Sequence, residues 1–280
     1  MKSAYLAAIV PLIFVIGATP AAARSDELAD DLEWTGGYVG VSGGYRIQPS
    51  DKKEAVQFDT NLDGNFGDTV ATAANPTGNA FSPGFCGGMA KTTAPAGGCF
   101  SDEDAFNFGV HAGYDMQFGS FVVGAVAEYD RTGISDSVSA FSTTPAAYVL
   151  TRKLKDSANL RLRAGVAVSR VLVYGTGGGV WARVRNSFTT SNTTNTFTNT
   201  GNDNVFGWTA GGGAEFRFSE TMSLGVQYLY TSLTDDDFRV RAAGGAANNP
   251  FIRVNAQGTD FRRGGKFNSN AVAASINFHF

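Results

Sequence analysis

NSNAVAASINFHF, running from Asn268 to Phe280, decides the fold. Val272, Ala274, Ile276, Phe278 and Phe280 fall on one side of an extended chain, and Ala273, Ser275, Asn277 and His279 on the other. That is a period of two held to the final residue, the mark of a β-strand with unlike faces. An aromatic at the end of an unbroken pattern predicts a terminus tied into a sheet.

The same alternation recurs upstream. Phe106, Phe108, Val110, Ala112, Tyr114, Met116 and Phe118 alternate with polar or small residues over Asp104 to Phe118. Gly119-Ser120 then reads as a two-residue type II′ hairpin turn, with glycine first. Across such a turn, positions 118 and 121 share a face, so the apolar parity must change from even to odd. It does, at Phe121, Val123, Ala125, Ala127 and Tyr129. Further strands are predicted over Trp34 to Ile47, Ala158 to Val168, Val171 to Val184 and Val205 to Phe218. A seventh carries Leu224, Val226, Tyr228 and Tyr230, and the quoted stretch is the eighth. The register of Val171 to Val184 stays open, because neither face carries a charge before Arg183.

Long and tight connections alternate along the chain. The long ones are 48–103, 130–157, 185–204 and 234–267, so all four fall at one end of the strands and the tight turns at the other. A soluble sandwich has no reason to sort its loops in this way. Strands of about ten residues suit a tilted crossing of a bilayer. A Lys or Arg facing lipid at mid-bilayer costs ~2–4 kcal/mol. Slipping one strand by one residue would turn Arg161 and Arg163 outward together, so the charged set belongs inside. Asp115, Glu128, Arg161, Arg163, Glu215 and Arg217 are therefore expected to form an interior network of both signs. The fold class is all-β: an eight-stranded antiparallel up-and-down transmembrane barrel, narrow enough for side chains to fill.

Composition agrees. The chain has 280 residues with Lys+Arg 22 against Asp+Glu 25, a balance without the basic footprint of a nucleic-acid binder. Gly 35 and Phe 22 with only 17% charged residues suit an all-β protein. Residues 1–23 read as a secretory leader: Lys2 is the basic start, Ala4 to Ala18 is apolar but short and broken by Pro11, and Ala21-Ala22-Ala23 is a small-residue cleavage site. A short polar segment, 24–33, precedes the barrel at 34–280. Cys86 and Cys99 form an even pair in an exported chain and are expected to join, adding about 3 kcal/mol by restricting the unfolded chain.

Three segments, WTGGYVGVSGGY (34–45), LRLRAGVAVSRVLVYGTGGGVW (160–181) and GWTAGGGAEFRFSETMSLGVQYLYTSL (207–233), together with the last strand, resemble the OmpA-like, opacity-type outer-membrane barrels common in alphaproteobacteria. The resemblance implies a surface-exposed protein of the Gram-negative outer membrane, among lipid and lipopolysaccharide, with periplasmic tight turns and extracellular long loops. It implies that the closing strand, with Ile276, Phe278 and Phe280, is the signal read by the barrel-assembly machinery. Some members are adhesins, haem binders or small pores. Loop 48–103 lies outside the resemblance, and host or surface ligands would meet the loops.

Other motifs weigh less. Gly175 to Gly179 lacks the following helix that a phosphate loop needs. Asp59, Asn61 and Asp63 resemble the start of a calcium loop, but its twelfth position is Val70, and an Asp-Gly hairpin tip is preferred. The Asp235 to Asp237 run reads as a solvated loop face. His111 and His279 are the only histidines, both expected to face inward and to bond a carboxylate, and no nucleophile–base pair stands at a credible spacing. The expectation is a non-enzymatic surface barrel with no cofactor, metal or catalytic residue. The alternatives are a small pore, a haem- or ligand-binding protein, and a lipid A-modifying enzyme.

Overall fold

The computed structural model describes residues 33–49, 54–72, 74–201 and 203–280. The leader expected over 1–23, and all of 24–33 but Glu33, lie outside the described residues. Among those described, the strands are β1 (Gly36–Ile47), β2 (Val56–Asp59), β3 (Gly84–Gly87), β4 (Ala105–Phe118), β5 (Phe121–Thr132), β6 (Ser135–Ser142), β7 (Ala146–Val168), β8 (Val171–Thr190), β9 (Thr196–Thr200), β10 (Asn204–Arg217), β11 (Met222–Thr234), β12 (Arg239–Ala243), β13 (Thr259–Arg263) and β14 (Phe267–His279).

Eight of them make a closed antiparallel ring. In ring order they are β1, β4, β5, β7, β8, β10, β11 and β14, and β14 pairs back onto β1, with Val41 opposite Ile276. Closure leaves no barrel edge whose N–H and C=O groups would face hydrocarbon unpaired. Gly119 has φ 61°, as the first position of a type II′ turn requires. Ser169 takes the same role between β7 and β8 with φ 52°, a left-handed backbone held by a non-glycine residue.

Parity decides which side chains meet lipid. Leu162 is 71% exposed, while its neighbours Arg161 and Arg163 are 3% and 5% exposed. The open register of β8 is settled by pairing. Arg163 stands opposite Thr176 and Arg161 opposite Gly178, so Leu172, Tyr174 and Val180 point inward and Val171 and Val173 outward. The outward surface is aliphatic in its middle, with Val41, Val110, Val123 and Val226. It is aromatic towards both ends, with Phe106, Phe108 and Trp208 at one and Phe118, Phe121 and Phe216 at the other. Rings at the interfaces with aliphatic side chains between them are the pattern a bilayer selects.

The long connections depart from expectation. β7 starts at Ala146 rather than Ala158, and β8 runs to Thr190 rather than Val184, so this hairpin rises past the barrel. β6, inside the stretch expected to be a polar connection, pairs with the raised part of β7, and β3 pairs with β6. A separate four-stranded sheet, in the order β2, β13, β12, β9, draws strands from the first, third and fourth connections. Phe58, Phe81, Tyr148, Phe251 and Phe261 pack between the two walls with Val138, Leu150 and Val240, all nearly or wholly buried. The Phe58 and Phe81 ring centroids are 4.4 Å apart. The connections therefore fold into a cap with its own core, because each supplies apolar residues that none could bury alone. The Cys86–Cys99 disulfide ties β3 to the chain that follows it.

Replacing Ala125, mid-belt on the outward face, by Arg is expected to destabilise the barrel by ~2–4 kcal/mol in urea-unfolding measurements in lipid vesicles. The same change at exposed Thr198 in the cap should stay within about 0.5 kcal/mol.

Candidate functional site

Within the lumen, two arginines on β7 organise the charges. Arg163 pairs with Asp115 of β4, its Nε 2.8 Å from Oδ1, and its Nη1 is 3.1 Å from Oε2 of Glu215 on β10. Arg161 donates to Oε2 of Glu128 on β5 at 2.5 Å and to Gln227 at 3.3 Å. Glu215 Oε1 also accepts from Ser223 at 2.5 Å and Asn277 at 2.8 Å. Glycine makes the room: a Cβ at Gly124 would collide with the Asp115 carboxylate, and one at Gly113 with the Tyr38 ring. Arg217 stands at the tight-turn end of this group. It donates to the carbonyls of Glu33 and Glu220 and lies over the Trp34 ring, 5.3 Å from its centroid. One partner missed by sequence reasoning is Arg46, which binds Asp130 at 3.2 Å, with Asn107 donating to the other oxygen at 2.8 Å.

Apolar layers close this polar zone at both ends. Trp34, Val122, Ala167 and Leu172 cluster near the tight turns. Ile134, Leu154, Val180, Val184, Leu233 and Phe267 cluster below the cap. The lumen voids between them are about 20 Å³ and 10 Å³, room for little more than a water molecule each.

A second buried ionic group joins barrel to cap. Arg152 Nε lies 3.0 Å from Asp136, and Arg263 pairs with both Asp136 and Glu54. Arg152 also donates to the Lys266 carbonyl at 2.8 Å and lies over Phe267. Asp102 accepts from the Ser137 amide at 2.8 Å, and Asp235 is buried close by. Asp136 and Glu54 thus pair with the two guanidinium groups, and Asp102 and Asp235 lie within their electrostatic reach without pairing. Burial pushes Glu54 up to about 7, although Arg263 pulls the other way. It pushes Asp102 up to about 6, against the Ser137 hydrogen bond. Asp235, expected as part of a solvated face, is raised for the same reason, against the pull of Arg152.

Other expected residues fall as follows. Asp59 is buried, and its carboxylate accepts the backbone amides of Leu62, Asp63 and Gly64 at 2.7, 3.2 and 2.8 Å, so it holds a turn. Gly175 to Gly179 lies inside β8, with no helix after it. His111 bonds Asn277 at 2.7 Å, not the carboxylate expected of it, because Asn277 reaches across β1 from β14. His279 does meet a carboxylate, Glu215, at 3.2 Å. It also lies 2.9 Å from Ser223 Oγ, a serine–histidine contact sequence reasoning did not find, since 56 residues separate the two. Serine and glutamate meet the same Nε2, and Ser223 is fully buried, so no proton relay to a nucleophile is laid out. Ile276, Phe278 and Phe280 share the outward face, and Phe280 exchanges backbone hydrogen bonds with Gly37 at 3.0 and 3.1 Å.

Two measurements follow from these clusters. Arg163→Met strands Asp115 and Glu215 and should cost ~3–5 kcal/mol, read by urea unfolding; adding Asp115→Asn and Glu215→Gln should recover most of that loss. At the junction, a carboxyl whose folded value lies above its unfolded 4.5 binds its proton more tightly when folded. The contribution of Glu54 to stability is therefore fullest below about 4.5 and declines as pH rises towards about 7. Amide exchange in β12 and β13 should be slower at pH 5 than at pH 8, after correction for intrinsic rates, and Glu54→Gln should flatten much of the difference.

A sequence profile of the outer membrane protein beta-barrel domain matches residues 9–280. The 31 kDa outer-membrane immunogenic proteins of Brucella melitensis biotype 1 and Brucella suis biovar 1 are each 27% identical over 249 residues, 83% of this chain and 88% of theirs. Ail, the attachment invasion locus protein of Yersinia pestis, aligns at TM-score 0.32 and 11% identity over 87% of this chain and 99% of its own. The outer membrane protease OmpT from Escherichia coli aligns at TM-score 0.38 and 10% identity over 88% and 94%. Closed ring, outward apolar belt, inward charges and profile agree: the chain belongs to the outer membrane protein beta-barrel domain family, and its location is the Gram-negative outer membrane.

Proposed function

We propose that this protein is a non-conducting, non-enzymatic surface barrel that anchors a folded extracellular cap and makes its external contacts through that cap. The observation that carries the reading is the stack of layers along the barrel axis. An apolar layer, the Arg161 and Arg163 ion pairs, a second apolar layer and the Arg152–Arg263 cluster follow one another, with voids of only about 20 and 10 Å³ in the lumen. An ion entering would have to displace paired charges and cross two dry layers. The cap core gives the external surface a fixed shape. The burial of Ser223 beside His279, both inside the wall, supports a role without catalysis. In this reading the outward belt contacts lipid and lipopolysaccharide, and the barrel-assembly machinery reads the strand ending in Ile276, Phe278 and Phe280.

In planar bilayers the purified protein should give no steady single-channel openings, and regular ion-conducting steps would overturn the sealed lumen. Lipid A from cells with and without the protein should give identical mass spectra. An altered acyl or phosphate pattern would overturn the absence of catalysis.

A further inference from the structure

The outermost end of the cap holds a cleft of about 330 Å³. That is within the range of small-molecule sites, about 300–1,000 Å³. It lies where all four connections meet: Ala80 and Phe81 of the first, the β6–β7 turn, the segment between β8 and β9, and the segment around Asn249 to Phe251. No Asp, Glu, Lys, Arg or His lines it. Its inner wall is ring and small apolar surface, from Phe81, Tyr148, Pro145, Pro250 and Phe251. Its mouth is rimmed by the exposed threonines Thr143, Thr144, Thr193 and Thr194.

An amide network fixes the wall before any ligand arrives. Asn192 donates to the Tyr148 hydroxyl at 2.7 Å and to Asn195 Oδ1 at 3.0 Å. Asn249 donates to the same Asn195 oxygen at 3.2 Å, while Asn195 donates to the Gly244 carbonyl at 3.0 Å. Three of the four connections are therefore locked together at the cleft, which lowers the ordering cost of binding.

The lining selects the ligand by its chemistry. An ion would lose hydration with no opposite charge to meet it. A wholly apolar ligand would strip water from the threonine hydroxyls at the rim and give them no partner. A sugar ring offers apolar C–H faces for the proline and alanine surfaces, with only the edges of the buried rings beneath them, and hydroxyls for the exposed threonines. We propose that the cleft at the tip of the cap binds an uncharged mono- or disaccharide unit of a surface glycan. This rests on the reading of the cap as the contact surface.

The test is saturation-transfer NMR on the full chain in lauryldimethylamine oxide micelles, which carry no sugar headgroup. The probes are lactose, N,N′-diacetylchitobiose and 3′-sialyllactose. Transfer to at least one of the two neutral sugars is expected. Thr143→Trp and Thr194→Trp, which fill the mouth without touching the core, should each weaken its apparent affinity by about tenfold or more. Folding of each variant is checked by its heat-dependent gel shift. No transfer to either neutral sugar, transfer to 3′-sialyllactose alone, or transfer unchanged in both folded variants would overturn the site. A barrel that ignores sugars but stays electrically silent sinks the cleft and leaves the sealed barrel standing.

Discussion

Backbone hydrogen bonding in hydrocarbon is the constraint behind everything else here. A peptide group that faces lipid without a partner costs several kcal/mol, so strands can cross only as a ring. The pairing of β1 with β14, first barrel strand with last, meets that demand. Once the ring is closed, every strand has an oily outside and an enclosed inside, and two-residue periodicity assigns each side chain to one or the other. Eight strands leave an interior that side chains can fill, and the charges placed there must neutralise one another. Asp115, Arg163 and Glu215 do so across the lumen, from three strands that are not neighbours in the ring.

The interior is graded along its axis. Dry layers alternate with ionic ones, from Trp34 at the tight turns, through Arg163 and Arg161, past Leu154 and Phe267, to Arg152 and Arg263. The lower ionic layer lies within the membrane, where carboxylates and guanidinium groups are nearly matched in reach and geometry. The upper one lies at the foot of the cap and carries more carboxylates than guanidinium groups. Burial is the chief reason that Glu54 and Asp102 hold their protons to unusually high pH, and the nearby Asp136 charge adds to it.

The barrel was legible in the sequence because its strands are long and two-faced. Phe106 to Phe118 and Val272 to Phe280 state their parity many times over, and one charged pair such as Arg161 and Arg163 pins a register. In β8 the glycine run removed that information, and only its partners across the sheet supply it. The cap was not legible for a different reason. Its strands are short, β2 and β3 having four residues each, and their partners lie far along the chain, as with β2 and β13. β6 is buried on both faces, and the brief alternation from Ser137 to Ala140 is broken by Asp136 on its apolar side and Phe141 on its polar side. The buried junction, where Glu54 meets Arg263, and the contact of Ser223 with His279 likewise exist only after closure has chosen the neighbours.

The shared core of the cap has a consequence for how this surface can change. Phe58, Phe81, Tyr148, Phe188, Phe197 and Phe261 reach one cluster from all four connections. Surface loops are usually free to drift one at a time. Here a change of volume at any of these rings alters the space left to the other connections. The exterior of this protein is therefore set to diversify as a single unit, with exposed positions such as Thr198 varying freely over a buried scaffold that binds the histories of four segments together.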